Sequence, residues 1–156
     1  MVNIEVYDGP TTMLWEAVTA WRDEADPGFQ IQMDPAFFIG HLGEVIDSPN
    51  TDLLVWREPG GLVLGFMGVH LLESPLSGEI MVEEHMWYIL PEYRSLAATR
   101  AFLAAAEAWG RERGATQFLL TASHLANIDA GRVMRMYGRL GFKPFEQVFI
   151  RPIGGS

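Results

Sequence analysis

Residues 3–7 (Asn-Ile-Glu-Val-Tyr) alternate apolar and polar and stop at Asp8-Gly9-Pro10, which predicts a short strand and a turn. Thr11 or Thr12 can then cap a helix in which Leu14, Ala17, Val18 and Trp21 share one face. That helix ends near Arg22, where Asp23-Glu24-Ala25-Asp26-Pro27-Gly28 breaks the pattern. Asp34-Pro35 reads as a cap followed by a proline at the first helical position, where its missing N–H costs nothing. Phe38, Leu42, Val45 and Ile46 mark the buried face of this second helix, which Ser48-Pro49-Asn50 stops. Residues 52–57 and 61–71 predict two strands separated by Glu58-Pro59-Gly60. The second is apolar on both faces and should lie centrally in a sheet.

Residues 79–90 predict a third long strand, and residues 96–113 a helix that buries Phe102, Ala105, Ala106 and Trp109 and closes at Gly114. A strand over 117–123, a short helix near 130–140 between Asp129 and Gly141, and a last strand over 146–151 complete the series. The pattern predicts one folded unit over residues 1–153, with Gly154-Gly155-Ser156 as a flexible end. Strands occur in succession and also alternate with helices, so hairpins mix with crossovers. The expected fold is an α/β (α+β) arrangement with a mixed sheet.

Composition narrows the function. The 156 residues are 49% hydrophobic and 20% charged, an ordinary globular balance. With no cysteine there is no disulfide framework, thiolate nucleophile or cysteine-based zinc site. Eleven Lys plus Arg against twenty Asp plus Glu, net −9, argue against a nucleic-acid partner and favour cationic small molecules. The first residues lack a secretory pattern and no apolar run is long enough to cross a membrane, so a soluble cytoplasmic protein without a membrane partner is expected. The four histidines, at 41, 70, 85 and 124, have no metal-ligand spacing, and no metal is expected. Ser123-His124 lacks the nucleophile elbow of a hydrolase.

The junction Ile89-Leu-Pro-Glu-Tyr-Arg94-Ser-Leu-Ala-Ala-Thr99-Arg100 joins a strand to a helix. Its first helical turn offers unpaired N–H groups to an anion, with Arg94 and Arg100 alongside. Pro91-Glu92-Tyr93-Arg94 resembles the approach to the acetyl-CoA loop of the GNAT acyltransferase superfamily, whose pattern is Arg/Gln-x-x-Gly-x-Gly/Ala. Ala97 and Thr99 stand where that pattern has small residues, so both glycines are missing. Tyr137-Gly-Arg-Leu-Gly141-Phe142 is similar to the Tyr-x-x-x-Gly-Phe that ends the family's fourth helix. Glu84-His-Met-Trp87, Glu107-Ala-Trp109 and Phe145–Arg151 look most like members from bacteria and their phages.

The resemblance covers nearly the whole chain and implies a three-layer fold, a central mixed twisted sheet flanked by about four helices. It implies acetyl-CoA as cosubstrate, held by the backbone of Ile89 and Leu90 and by the loop Arg94, Ser95, Leu96, Ala97, Ala98, Thr99 and Arg100. Many relatives carry an asparagine where this chain has Ala130; either the nearby Asn127 substitutes for it or the contact is absent. Glu84 is the first candidate for the base that neutralises an acceptor amine, Glu83 the second, and Tyr137 the candidate acid for the departing thiolate. Asp23, Glu24, Asp26 and Phe29 fall where relatives build the acceptor pocket, which suits a cationic small-molecule or peptide amine. The expected reaction is direct transfer of acetyl to that amine; the competing reading is an inactive acyl-CoA-binding or interaction module of the same fold. A homodimer stays open, since relatives often pair through late strands.

Overall fold

The computed structural model describes residues 1–25, 31–122 and 129–153. The elements are β1 (Ile4–Val6), α1 (Trp15–Glu24), α2 (Pro35–Asp47), β2 (Thr51–Arg57), β3 (Val63–Glu73), β4 (Ile80–Ile89), α3 (Leu96–Glu112), β5 (Gln117–Leu119) and α4 (Ala130–Arg139). The five strands form one sheet in sequence order. β1 to β4 pair antiparallel, and β4 pairs β5 parallel. This is the mixed α/β arrangement that the hydrophobic pattern predicts.

Local chemistry sets most boundaries. The Asp34 carboxylate accepts from the N–H groups of Ala36 and Phe37, so α2 starts where the Asp-Pro pair places it. Ser95 Oγ caps α3 through the Ala98 N–H, and Asp129 caps α4 through the Gly131 N–H. Gly114 and Gly141 follow α3 and α4 at φ +83° and +93°, a region that other side chains disfavour. Neither Thr11 nor Thr12 caps α1. Residues Thr11–Leu14 instead make a 3-10 turn after Pro10, and α1 begins at Trp15.

Two cores sandwich the sheet. On one face the 3-10 turn, α1 and α2 bury Leu14, Val18, Trp21 and Leu42 against Leu53, Phe66, Met86 and Tyr88. On the other, α3 buries Phe102, Ala106 and Trp109 against Leu54, Met67, Val69 and Val82. The strand expected over 146–151 does not form, and Val148 and Phe149 are exposed. Alternation selects a face only where a neighbouring edge supplies hydrogen bonds, and no described strand pairs with this stretch.

β4 contains the irregularity that positions the site. Gly68 pairs Met86 and Val69 pairs Glu84, so His85 is an extra residue in the strand. Even-numbered Val82 packs in the α3 core, whereas even-numbered Met86 and Tyr88 pack in the α1/α2 core. One bulged residue thus exchanges the faces of everything after it. Gly68 accommodates the bulge, because a Cβ there would lie 2.7 Å from Met86 Cγ and 2.9 Å from His85 Cε1. Gly68→Ala is expected to destabilise the protein by about 1–3 kcal/mol, read as a lower urea midpoint at unchanged slope.

Candidate active site

Beyond Glu83, β4 loses its partner on the β5 side. β5 pairs Met81, Val82 and Glu83 and ends at Leu119, which leaves a gap beside the rest of β4 among the described strands. The Leu90 N–H donates to the Leu64 carbonyl, so Leu90, Tyr88 and Met86 turn their peptide groups toward β3. Alternation then turns those of Trp87 and Ile89 into the gap. Arg94 Nε donates to the Ile89 carbonyl at 2.9 Å, which confirms that direction. Of the two residues expected to offer backbone to a pantetheine arm, Ile89 faces the gap and Leu90 is committed to β3. By the same register the peptide groups of Trp87 also face the gap.

Glu84 lies on the α3 face of β4, 4% exposed. Its Oε2 accepts from the Thr121 N–H at 3.1 Å, and the Tyr137 hydroxyl donates to the Thr121 carbonyl at 3.2 Å. The two sequence-predicted groups therefore meet on opposite ends of one residue. Burial raises the Glu84 carboxyl to about 7; the Thr121 hydrogen bond opposes the rise and the Glu83 charge adds to it. Burial, followed by the Glu84 charge, pushes the Tyr137 phenol up from its ordinary value, so it remains a donor at neutral pH. Thr121 was not foreseen, since its contribution is backbone and carries no residue signature.

Glu83 projects to the opposite face, where its Oε2 lies 3.0 Å from His70 Nε2. The two adjacent glutamates thus serve different surroundings. Asn127, Asp26 and Phe29 lie outside the described residues.

At the head of α3 no residue of the glycine-poor loop takes a positive φ. Ser95 is extended at φ −154°, so the turn does not require glycine. Ala98 and Thr99 are buried, with Thr99 at 9% exposure, and their side chains are spent in the core rather than over the amides. Ser95, Leu96, Ala97 and Arg100 are exposed. The N–H groups of Leu96 and Ala97 precede the first intrahelical acceptor and sit outside the Ser95 cap. This junction fits a diphosphate.

Arg94 is held differently from a free phosphate ligand. Its guanidinium makes two bonds to the Glu24 carboxylate, at 2.5 and 2.6 Å, and lies 5.3 Å from the centre of the Tyr88 ring. The Tyr88 hydroxyl also donates to Glu24. Burial alone would raise the Glu24 carboxyl, but hydrogen bonds from Arg94 and Tyr88 outweigh it and hold it below the usual range. The end of α1 is thereby fastened to the strand-helix junction.

The raised Glu84 pKa has a consequence for stability. A carboxyl that titrates higher folded than unfolded stabilises most at low pH, and the contribution is lost as pH rises through about 7. His85 works in the opposite sense, because burial, then its His70 and His41 neighbours, lowers it to about 4, so stability falls as pH drops from 6.5 toward that value. Glu84→Gln is therefore expected to leave stability near pH 5 little changed and to raise it at pH 8 by about 1–3 kcal/mol, measured by urea unfolding at both pH values.

Comparison with known proteins agrees with this geometry. The sequence profile of the Acetyltransferase (GNAT) family matches residues 14–142. No curated protein matches by sequence. The ribosomal-protein-alanine N-acetyltransferase of Brucella melitensis biovar Abortus superposes with a TM-score of 0.74 at 15% identity, covering 99% of this chain and 100% of that one. The aminoglycoside antibiotic 6'-N-acetyltransferase of Acinetobacter baumannii superposes with a TM-score of 0.65 at 17% identity over 99% and 100%. AAC(6')-Iy, solved with the bisubstrate analogue CoA-S-monomethyl-acetylneamine, gives 0.67 at 17% over 98% of each chain. With its profile match spanning most of the chain, this protein belongs to the GNAT acetyltransferase family.

Proposed function

We propose that the chain is an acetyl-CoA-dependent N-acetyltransferase in which a primary amine attacks the thioester directly. The observation that carries this reading is the pairing of Glu84 and Tyr137 across Thr121, beside the gap between β4 and β5. The acceptor is a cationic small molecule or peptide amine, as the net charge of −9 favours. The aminoglycoside enzymes among the structural neighbours act on amines of that kind.

The cosubstrate supplies an activated acetyl group and a thiolate leaving group. The amides of Leu96 and Ala97, with Ser95 and Arg100 beside them, hold its phosphates. The peptide groups of Trp87 and Ile89 hold its pantetheine arm. Glu84 accepts a proton from the amine nitrogen, and a carboxyl titrating near 7 suits that work at neutral pH. Tyr137 donates the proton that the sulfur needs on leaving. Arg94 orients the junction through Glu24 and Ile89.

Acetyl-CoA at millimolar concentration is expected to raise the melting temperature, since a ligand of the native state must stabilise it. Thiol release with polyamines, aminoglycosides, amino acids and peptide N-termini then identifies the acceptor. Glu84→Gln should lower kcat by about 100-fold or more and remove the rise in kcat/KM centred near pH 7, while Tyr137→Phe should lower kcat by about 10–100-fold. Thermal stabilisation by acetyl-CoA without turnover on any amine would favour the non-catalytic acyl-CoA module. Absence of stabilisation would reject both readings.

A further inference from the structure

Coenzyme A demands more positive charge than the head of α3 supplies. Its diphosphate and 3'-phosphate together carry about four negative charges at neutral pH. Arg94 is spent on Glu24, at 2.5 and 2.6 Å, and turns its Nε to the Ile89 carbonyl. Arg22, Arg57, Arg111 and Arg113 are paired likewise, with Asp23, Glu5, Glu107 and Asp52. On α3 that leaves Arg100, which is exposed and has no carboxylate partner among the described residues.

Further unpaired arginines lie on α4. Arg132, Arg135 and Arg139 are exposed, follow one another at three- and four-residue spacing, and have no carboxylate partner among the described residues. The helix itself contains no acidic residue. This is a local reversal of sign in an acidic chain, since residues 1–91 hold two of the eleven basic side chains and residues 92–156 the other nine. α3 and α4 each follow a strand of the parallel pair and run back along it on one sheet face. Gly110, late in α3, sits against Val82 near the start of β4. Phe142, just past α4, packs on Phe118 of β5, and Tyr137 reaches Thr121 beyond the end of that strand. The heads of the two helices therefore stand at the same end of the β4/β5 pair, where the gap opens. Arg132 lies in the first turn of α4. The Arg135 guanidinium folds back over the same turn, its Nη1 3.5 Å from the point where a Cβ on Gly131 would lie. Arg139 is two turns farther along, about 10 Å beyond Arg132.

We propose that Arg132 and Arg135 bind the 3'-phosphate of coenzyme A and make the site selective for it over nucleotides that carry only a 5'-diphosphate. The assignment rests on the acyl-transfer reading and divides the ligand between two helices. The diphosphate takes the α3 amides beside Arg100, and the 3'-phosphate of the same ribose takes α4. A guanidinium suits this group, because its planar fork meets two phosphate oxygens at once. Asp129, whose Oδ1 also lies near Gly131, is committed to the Gly131 N–H and caps the helix. Arg139 stands outside the subsite, in the last turn, where a cation complements the C-terminal end of the helix.

The test compares coenzyme A with 3'-dephospho-coenzyme A by isothermal titration calorimetry, which reads binding without turnover. The wild-type protein is expected to bind coenzyme A about 10–100-fold more tightly than the dephospho form. Arg132→Gln and Arg135→Gln should each weaken coenzyme A about 3–10-fold and leave the dephospho form within about twofold, which also shows that the variants are folded. Arg139→Gln removes the same charge two turns away and should leave both constants within about twofold. Equal affinity of the wild-type protein for the two ligands, an equal loss of both in Arg132→Gln and Arg135→Gln, or a loss of discrimination in Arg139→Gln overturns the assignment to the head of α4 and leaves acyl transfer intact. A wild-type protein that binds neither ligand overturns the acyl-CoA reading and the assignment together.

Discussion

The short pairing of β4 with β5 is the constraint on which the rest of the site depends. Three residue pairs join the strands, and beyond Glu83 no described strand pairs with the β5-facing edge of β4. A bare edge in a sheet interior is costly unless something satisfies it, and among the described residues the Arg94 side chain satisfies the Ile89 carbonyl. The bulge at His85 acts alongside this short pairing. It leaves Glu84 on the α3 face near Thr121 and sends His85 and Met86 together to the other face. Two adjacent acidic side chains and one histidine are thus distributed between two distinct chemical environments.

Electrostatics follow from this distribution. Glu84 is deeply buried and, among the described residues, has the Thr121 N–H as its backbone donor, so its charged form is poorly solvated and its proton is held near neutrality. Glu24 is also partly buried, but two guanidinium bonds and a phenol hydrogen bond favour its charged form. The contrast shows one residue type tuned in opposite directions by its partners. It also separates a carboxyl suited to proton transfer from one that fastens α1 to the junction at Arg94.

Much of the fold was legible in the sequence. The Asp34-Pro35 start of α2, the Ser95 and Asp129 caps and the Gly114 and Gly141 stops are local events, written in residues that make their own hydrogen bonds or tolerate an unusual φ. The central place of β3 followed from apolar residues on both of its faces. The strand expected over 146–151 failed for the converse reason. Its alternation states which side would be buried, but a strand also needs an edge to bind, and alternation says nothing about that. In the candidate site, Glu84 and Tyr137 were singled out through a resemblance spanning the chain, and the structure brings both to Thr121. The backbone contacts of Thr121 were not legible, since backbone groups act without regard to side-chain identity.

By itself the sequence determined the kinds of element, their order, their caps and the stock of ionisable groups, because each depends on residues within a turn or two of one another. It also established that the loop at Arg94 lacks the family's glycines. Tertiary structure alone decided that this loop needs no left-handed residue and that Thr99 turns inward. It decided as well that Arg94 answers to Glu24, seventy positions away, and that the nitrogens of His70 and His85 face each other. Those outcomes depend on distances between atoms remote along the chain and on a one-residue slip in strand register, neither of which a local pattern of polar and apolar positions encodes.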